Sequence, residues 1–489
     1  MPDSTPPTDF SPDQFRRHGH AVVEWIADYL ATIDDYPVLS PVQPGDIREA
    51  LPARAPEAGE PLDRILADFD QLIVPGITHW NHPSFFAYFA ISGSVPGILG
   101  EMLAAALNVN GMLWKASPSA TELELTTMDW LRQLMGLSDD WFGHINDTAS
   151  ISTLLALAAA REAANLDIRQ RGMAGRADLP ALRLYTSAQS HSSVEKGALT
   201  LGFGQQNVIA IETDRDFRMR ADRLAAAIAS DRAAGHLPVA AVATIGTTST
   251  TSIDPLRPIA ELCQREGVWL HVDGAYGGAA AILPELRERL FDGIELADSL
   301  VVNPHKWLFT PVDISALYTR HPDILKRAFS LVPEYLVTAE QDEVVNLMDY
   351  GVQLGRRFRA LKLWMVMRSF GAEGLRERLR HHIALAQRFA AWVDESAAWQ
   401  RMAPTPLSTV CFRAAPPSLS AEAQDALNEQ IMAAVNASGE AFLSHTKLND
   451  RFTLRLAIGN IRTEARHVAR AWALLNEALE RLSVGALER

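Results

Sequence analysis

A mostly parallel α/β sheet flanked by helices is the fold class this sequence predicts, and three observations predict it. Short β-branched or apolar runs alternate with helical patterns through the middle of the chain, as βαβ units do. The runs read as strands buried inside a sheet covered by helices. Polar residues of chemical use fall directly after several of them, at the carboxyl ends where open α/β sheets bind ligands. At 489 residues the chain is too long for one simple core, so two or three domains are expected.

Taken in order, "SPDQF" opens a helix, with Ser11 as N-cap, Pro12 in the first turn and Gln14 at the capping-box position. Val22, Trp25, Ile26, Tyr29 and Leu30 then repeat at helical spacing. The proline-rich stretch 36–61 reads as an extended connector, and Leu62, Ile65, Leu66 and Phe69 mark a second helix. Helical patterns follow over 150–164, 220–234 and 258–266, with strands expected at 182–187, 207–211, 239–246, 268–273, 298–303 and 313–319. From about residue 364 long amphipathic helices take over, with one strand pair near "STVCFR" and "FTLRLAI", a smaller α+β domain.

Composition narrows the function. A net charge of -14 argues against a nucleic-acid surface or an anionic-membrane binder. Two distant cysteines, Cys263 and Cys411, build neither a disulfide framework nor a zinc site, so no metal and a reducing cytoplasm are expected. The amino terminus shows no basic-then-apolar leader pattern, and no apolar run approaches the ~20 residues of a membrane span.

The chemistry gathers at strand ends. "VWLHVDGAYGG" sets Asp273 after a buried strand and "VVNPHKW" sets His305 and Lys306 after another. "YTSAQSHSSVEKG" and "VATIGTTSTT" add His191, Thr247 and Thr248. Thr148, Ala149 and Ser150 open a helix whose backbone N–H groups suit a phosphate. Taken singly, a lysine after a strand is an ordinary surface residue and an aspartate there an ordinary turn residue. Together they ask for a ligand with a phosphate, a ring nitrogen facing Asp273, a flat face for His191 and a carbonyl for Lys306. Pyridoxal phosphate meets all four needs.

The stretches "PGITHWNHPSFFAYF", "SPSATELE", "AQSHSSVEKG", "VATIGTT", "WLHVDGAYGG", "ADSLVVNPHKW" and "LGRRFRALKLW" resemble the group II pyridoxal-phosphate decarboxylases, and within them the aromatic-L-amino-acid decarboxylases, over nearly the whole chain. The resemblance implies pyridoxal-phosphate fold type I, the aspartate-aminotransferase-like arrangement, and a homodimer with the active site at its interface. It divides the chain into an N-terminal helical dimerisation segment (1–94), a large cofactor-binding α/β domain (95–363) and a small C-terminal domain (364–489). It also implies that Lys306 is the Schiff-base lysine, Asp273 pairs with the ring nitrogen, and His191 and Ala275 pack on the ring's two faces. Ala149, Ser150, Ser299 and Asn303 are implied on the phosphate side, with His305 close by. Thr248 is implied near the substrate carboxylate, and Arg455 near the site without a settled role.

"AFSLVPEYLVTAEQDEVV" resembles the family's catalytic loop, where Tyr335 takes the place of the tyrosine that protonates the substrate's α-carbon. Relatives that make aldehydes with oxygen typically carry phenylalanine there. Tyr335 with His191 therefore favours simple decarboxylation of an aromatic amino acid (tryptophan, DOPA, phenylalanine or tyrosine), with an oxygen-dependent aromatic aldehyde synthase as the alternative. Trp80, Tyr88 and Phe89 match an aromatic-lined substrate pocket. Gly355 matches a position where glycine accompanies larger rings. Four departures stand out: Ala90 for a proline, Met112 for a phenylalanine contributed by the partner, Gly274 for alanine and Asp147 for glycine.

Overall fold

The computed structural model describes residues 9–331 and 343–487 of the chain. Its centre is a seven-stranded sheet: β1 (Phe142–Asn146), β2 (Leu182–Ser187), β3 (Val208–Ile211), β4 (Leu237–Thr244), β5 (Trp269–Asp273), β6 (Ser299–Val302) and β7 (Ser315–Thr319). The order across the sheet is β1-β7-β6-β5-β4-β2-β3. Parallel pairing joins β2 to β3 and runs from β2 through β4 and β5 to β6, whereas β7 is antiparallel to both β6 and β1. Only β7 opposes the common direction, so the sheet is mostly parallel, as the alternating pattern implies.

Six of these strands follow the sequence expectation closely, and β1 is the one it omits. With Gly143, His144 and Asn146 in five residues, β1 (Phe142–Asn146) carries a weak strand signal beside Phe142 and Ile145, and its pairing with β7 holds it in the sheet. A Cβ on Gly143 would come within 2.5 Å of the Tyr318 ring across that pair, so glycine is required there by contact.

The amino-terminal helix runs Pro12–Ala31 with the full capping box: Gln14 N–H donates to Ser11 Oγ at 3.2 Å and Ser11 N–H to Gln14 Oε1 at 2.9 Å. Its Trp25 meets Phe69 edge-on with centroids 5.0 Å apart, which fastens the helix to the segment Leu62–Ile73. The connector between them is not wholly extended, because Asp46–Ala50 forms a short helix among its prolines.

Past the large sheet, the helix Ala360–Glu395 is broken at Gly371, whose φ of 62° only glycine adopts freely. The carboxy-terminal part holds four antiparallel strands, β8 (Trp399–Arg401), β9 (Thr409–Ala414), β10 (Ser444–Leu448) and β11 (Arg451–Ala457), ordered β10-β11-β9-β8. The expected pair is β9 with β11. The edge strands β8 and β10 are short or polar and carry little apolar signal. No helix among the described residues is long and apolar enough to cross a membrane.

Candidate active site

The carboxyl ends of β2, β4, β5 and β6 meet the start of the helix Ala149–Ala163 around a cavity of about 190 Å³. Lys306 reaches it from the short helix Pro304–Trp307 after β6, where its N–H donates to the Asn303 carbonyl. Burial pulls its ammonium below the ordinary lysine value, with the Asp273 charge opposing and Arg455 adding to the shift. The amine therefore gives up its proton more easily than a surface lysine.

Asp273 ends β5 and is 5% exposed. Its Oδ1 accepts the Ala275 N–H at 3.0 Å, which turns the carboxylate into the cavity beside the small Ala275. His191 caps the helix Ser192–Thr200, with Nδ1 accepting the Ser193 N–H at 3.1 Å and lying 2.9 Å from Ser193 Oγ. Burial lowers its basicity, Lys306 adds to this and Asp273 opposes it. A neutral ring whose Nδ1 accepts must carry its hydrogen on Nε2, so His191 presents a donor.

The other end of the cavity is built for an anion. Thr148, Ala149 and Ser150 line it at the start of a 15-residue helix, where first-turn N–H groups lack intrahelical partners. Asn303 faces the same space and can turn its Nδ2 donors to an anion; its Oδ1 is buried and has no partner among the described residues. His305 Nδ1 accepts the Ile314 N–H at 3.0 Å, and burial pushes its pKa down to about 3, so it too is neutral with hydrogen on Nε2. Asp147 stays clear of the cavity: Oδ1 takes the Thr148 N–H and hydroxyl, and Oδ2 takes the Gln353 amide at 2.9 Å.

Thr248 lines the cavity from the loop after β4. Thr247, Thr250 and Ser252 hold that loop through hydroxyls 3.0 and 2.8 Å apart, and Gly246 at φ 86° starts its turn. Under the lysine lies a stack of rings. Phe89 packs on Tyr276 with centroids 3.8 Å apart, and Tyr276 on Trp307 at 4.6 Å. Lys306 Nζ sits 5.3 Å from the Phe89 centroid and the Arg455 guanidinium 4.6 Å from it. Arg455 also donates to the carbonyls of Tyr88 at 2.7 Å and Ser249 at 3.0 Å. This one buried cation ties the Phe89 turn to the Thr248 loop.

Several expected residues lie elsewhere. Ser299 begins β6, at the end of the sheet opposite the cavity, and bonds to Trp269 and His271, so it is no phosphate contact in this arrangement. Trp80 and Tyr88 stack with centroids 5.7 Å apart, outside the cavity lining, and Tyr88 is 53% exposed. Met112 and Gly355 meet around Asn110, also outside it. Tyr335 falls outside the described residues.

Four lining residues had no role assigned from sequence: Ser193, Thr244, Gly246 and Tyr276. Tyr276 stands in the quoted "HVDGAYGG", so its position was visible but its ring stack was not. The donor set fits pyridoxal phosphate: a helix start and Asn303 for the phosphate, Asp273 for the ring nitrogen and Lys306 for the aldehyde.

Comparison with known proteins agrees with this chemistry. Residues 44–415 match the family described as the pyridoxal-dependent decarboxylase conserved domain. The chain is 42% identical to tyrosine decarboxylase 2 of Arabidopsis thaliana over 476 residues, 94% of this chain and 86% of that protein. It is 40% identical to phenylacetaldehyde synthase of the same plant, over 95% of this chain and 96% of that one. Among solved structures, Oryza sativa TDC with PLP and tryptamine superposes with a TM-score of 0.93 at 36% identity, covering 97% of this chain and 99% of that one.

Proposed function

Since this chain belongs to the pyridoxal-dependent decarboxylase family, we propose that it converts an aromatic L-amino acid to the corresponding amine and carbon dioxide, with pyridoxal phosphate as cofactor. The observation that carries the reading is the single cavity in which Lys306, Asp273 and a helix start face one another. When bound, pyridoxal phosphate supplies the electron sink for the pair left behind by the departing carboxylate.

The chain's own groups do the rest. We assign the first-turn N–H groups of Ala149 and Ser150, with Asn303 and His305, to holding the phosphate, and Asp273 to keeping the ring nitrogen protonated. His191 and Ala275, which line the same cavity, would flank the ring. Lys306 would hold the cofactor by its amine, and the same buried amine can accept and donate a proton beside the substrate. We assign Thr248 and the His191 Nε2–H, which line the same cavity, to orienting the substrate carboxylate. Tyr335 delivers the proton to the α-carbon, an assignment that rests on the sequence motif.

Substrate selection we assign to Phe89, Trp80 and Tyr88 with Met112 and Gly355. The identity of Gly355 is not demanded locally. Its backbone is not in the left-handed region, and a Cβ there meets only Asn110 Nδ2 at 3.8 Å. The glycine is thus available for shaping a neighbouring pocket. Because Met112 and Gly355 stand apart from their own chain's cavity, we assign them to the site of a second copy in a homodimer. The helix Val95–Leu107 supports this, since Val95, Leu99, Leu103 and Leu107 are 44 to 59% exposed along it. We retain the division 1–94, 95–363 and 364–489 as the domain plan. We place the enzyme in the cytoplasm on its two buried, unbridged cysteines.

The test is a panel of amino acids scored for carbon dioxide, amine, ammonia and peroxide. We expect carbon dioxide and amine in equal amounts from at least one of tryptophan, tyrosine, DOPA and phenylalanine, without peroxide. Carbon dioxide from none of the aromatics, or a keto acid formed only with 2-oxoglutarate, would overturn the proposal.

A further inference from the structure

Below the cavity, one face of β5 carries Trp269, His271 and Asp273 in a row, because alternate strand residues point the same way. Ser299 stands directly opposite His271 in β6. Trp269 Nε1–H donates to Ser299 Oγ at 2.9 Å, and the same oxygen lies 2.9 Å from His271 Nδ1. All three are buried, His271 completely.

The hydrogen count along this line has one good solution. Ser299 Oγ accepts the indole hydrogen, and its own hydrogen has a single acceptor among the described residues, His271 Nδ1. The reverse arrangement, with Nδ1–H donating to the serine, would strand the hydroxyl hydrogen and leave Nε2 bare as well. Burial pushes the imidazole's pKa down to about 4, while the Asp273 charge and the Ser299 backbone pull it up, so the ring is neutral, and the hydrogen count through Ser299 Oγ puts its one hydrogen on Nε2. That nitrogen is buried and meets no acceptor among the described residues. Leaving such a donor unmet is costly.

The anion on this face is Asp273, two residues further along the strand and roughly 7 Å away in backbone rise. The imidazole spans much of that gap, leaving room for a direct contact or a single bridging water. We propose that His271 is a positioning residue for Asp273: its Nε2–H, oriented by the Trp269–Ser299 pair, donates to the Asp273 carboxylate directly or through one water and holds it ionised toward the cofactor's ring nitrogen. The inference rests on the assignment of Asp273 to that nitrogen made above. It also gives Ser299, which lies far from the phosphate end, a part in the site. A hydrogen bond to the charged form of a carboxylate stabilises that form. Asp273 then has one donor from Ala275, one from below, and a free edge toward the cavity.

Two measurements test this, the first without cofactor. In histidine-labelled apoenzyme, nitrogen NMR should show His271, identified by its absence in His271→Phe, as the Nε2–H form. Ser299→Ala should shift it toward the other tautomer. An Nδ1–H form in the wild type would overturn the inference.

In the second measurement, His271→Phe should weaken pyridoxal phosphate binding and lower kcat by about tenfold each, the scale seen for outer partners of ligating groups, with KM little changed. His271→Gln, which keeps an amide N–H near the Nε2 position, should recover most of both losses. If Asp273→Asn weakens cofactor binding and His271→Phe does not, the inference fails and the Asp273 assignment stands. If Asp273→Asn also has no effect, the assignment itself falls.

Discussion

Lys306→Ala is expected to lower decarboxylation by about 10³-fold or more, since it removes the covalent anchor and a positioned proton carrier together. The absorbance band of the lysine-linked cofactor should give way to that of the free aldehyde, and Lys306→Arg should be as inactive, because a guanidinium keeps the charge and loses the nucleophile. The phosphate end of the cavity is untouched by either change, so the variants should still retain pyridoxal phosphate noncovalently through Ala149, Ser150 and Asn303. Activity is read as carbon dioxide release at saturating substrate. Retention of more than a tenth of wild-type turnover in Lys306→Arg would mean that the lysine serves only as a cation, and the account of the site would be wrong. Exogenous methylamine should restore part of the activity in Lys306→Ala, since the vacated space admits a small amine.

Tyr335→Phe is expected to change the product rather than the binding. With the proposed proton donor of the α-carbon gone, dioxygen becomes the competing reactant. One amino acid, one O₂ and one water then give one aldehyde, one carbon dioxide, one ammonia and one hydrogen peroxide. The variant should consume oxygen and release ammonia and peroxide in equal amounts, with amine formation falling by about 10²-fold, the lower range for loss of a general acid. Unchanged amine output without oxygen uptake would move the proton donor elsewhere, to the His191 Nε2–H in the first place. The pairing of a tyrosine decarboxylase and a phenylacetaldehyde synthase at nearly equal identity to this chain makes the experiment informative in both directions.

Much of the fold was legible because the large sheet is buried on both faces, and burial writes long apolar runs into β2 and β4 through β7. What escaped was held by tertiary contact. β1 exists through its pairing with β7, and β8 and β10 sit at the edges of a small sheet where exposure keeps the sequence polar. That Lys306, Asp273 and His191 would share one cavity was legible for a different reason: each falls at or just after the carboxyl end of an apolar strand, where a buried polar group needs a partner. Ser299 was misplaced because it shares a motif with Asn303 and Lys306 yet stands at the opposite end of β6, and only the direction of the strand separates the two. The Phe89–Tyr276–Trp307 stack and the bridging donors of Arg455 join segments far apart in the chain, which no local pattern encodes.

The central claim is that one amine, that of Lys306, carries the cofactor. Treating the pyridoxal-phosphate-loaded enzyme with borohydride and mapping the peptides by mass tests it directly. The account predicts one added pyridoxyl-phosphate group, on the peptide containing Asn303 to Trp307 and absent from the Lys306→Ala protein. A stable adduct on any other lysine, or none at all in a protein that decarboxylates, would contradict it.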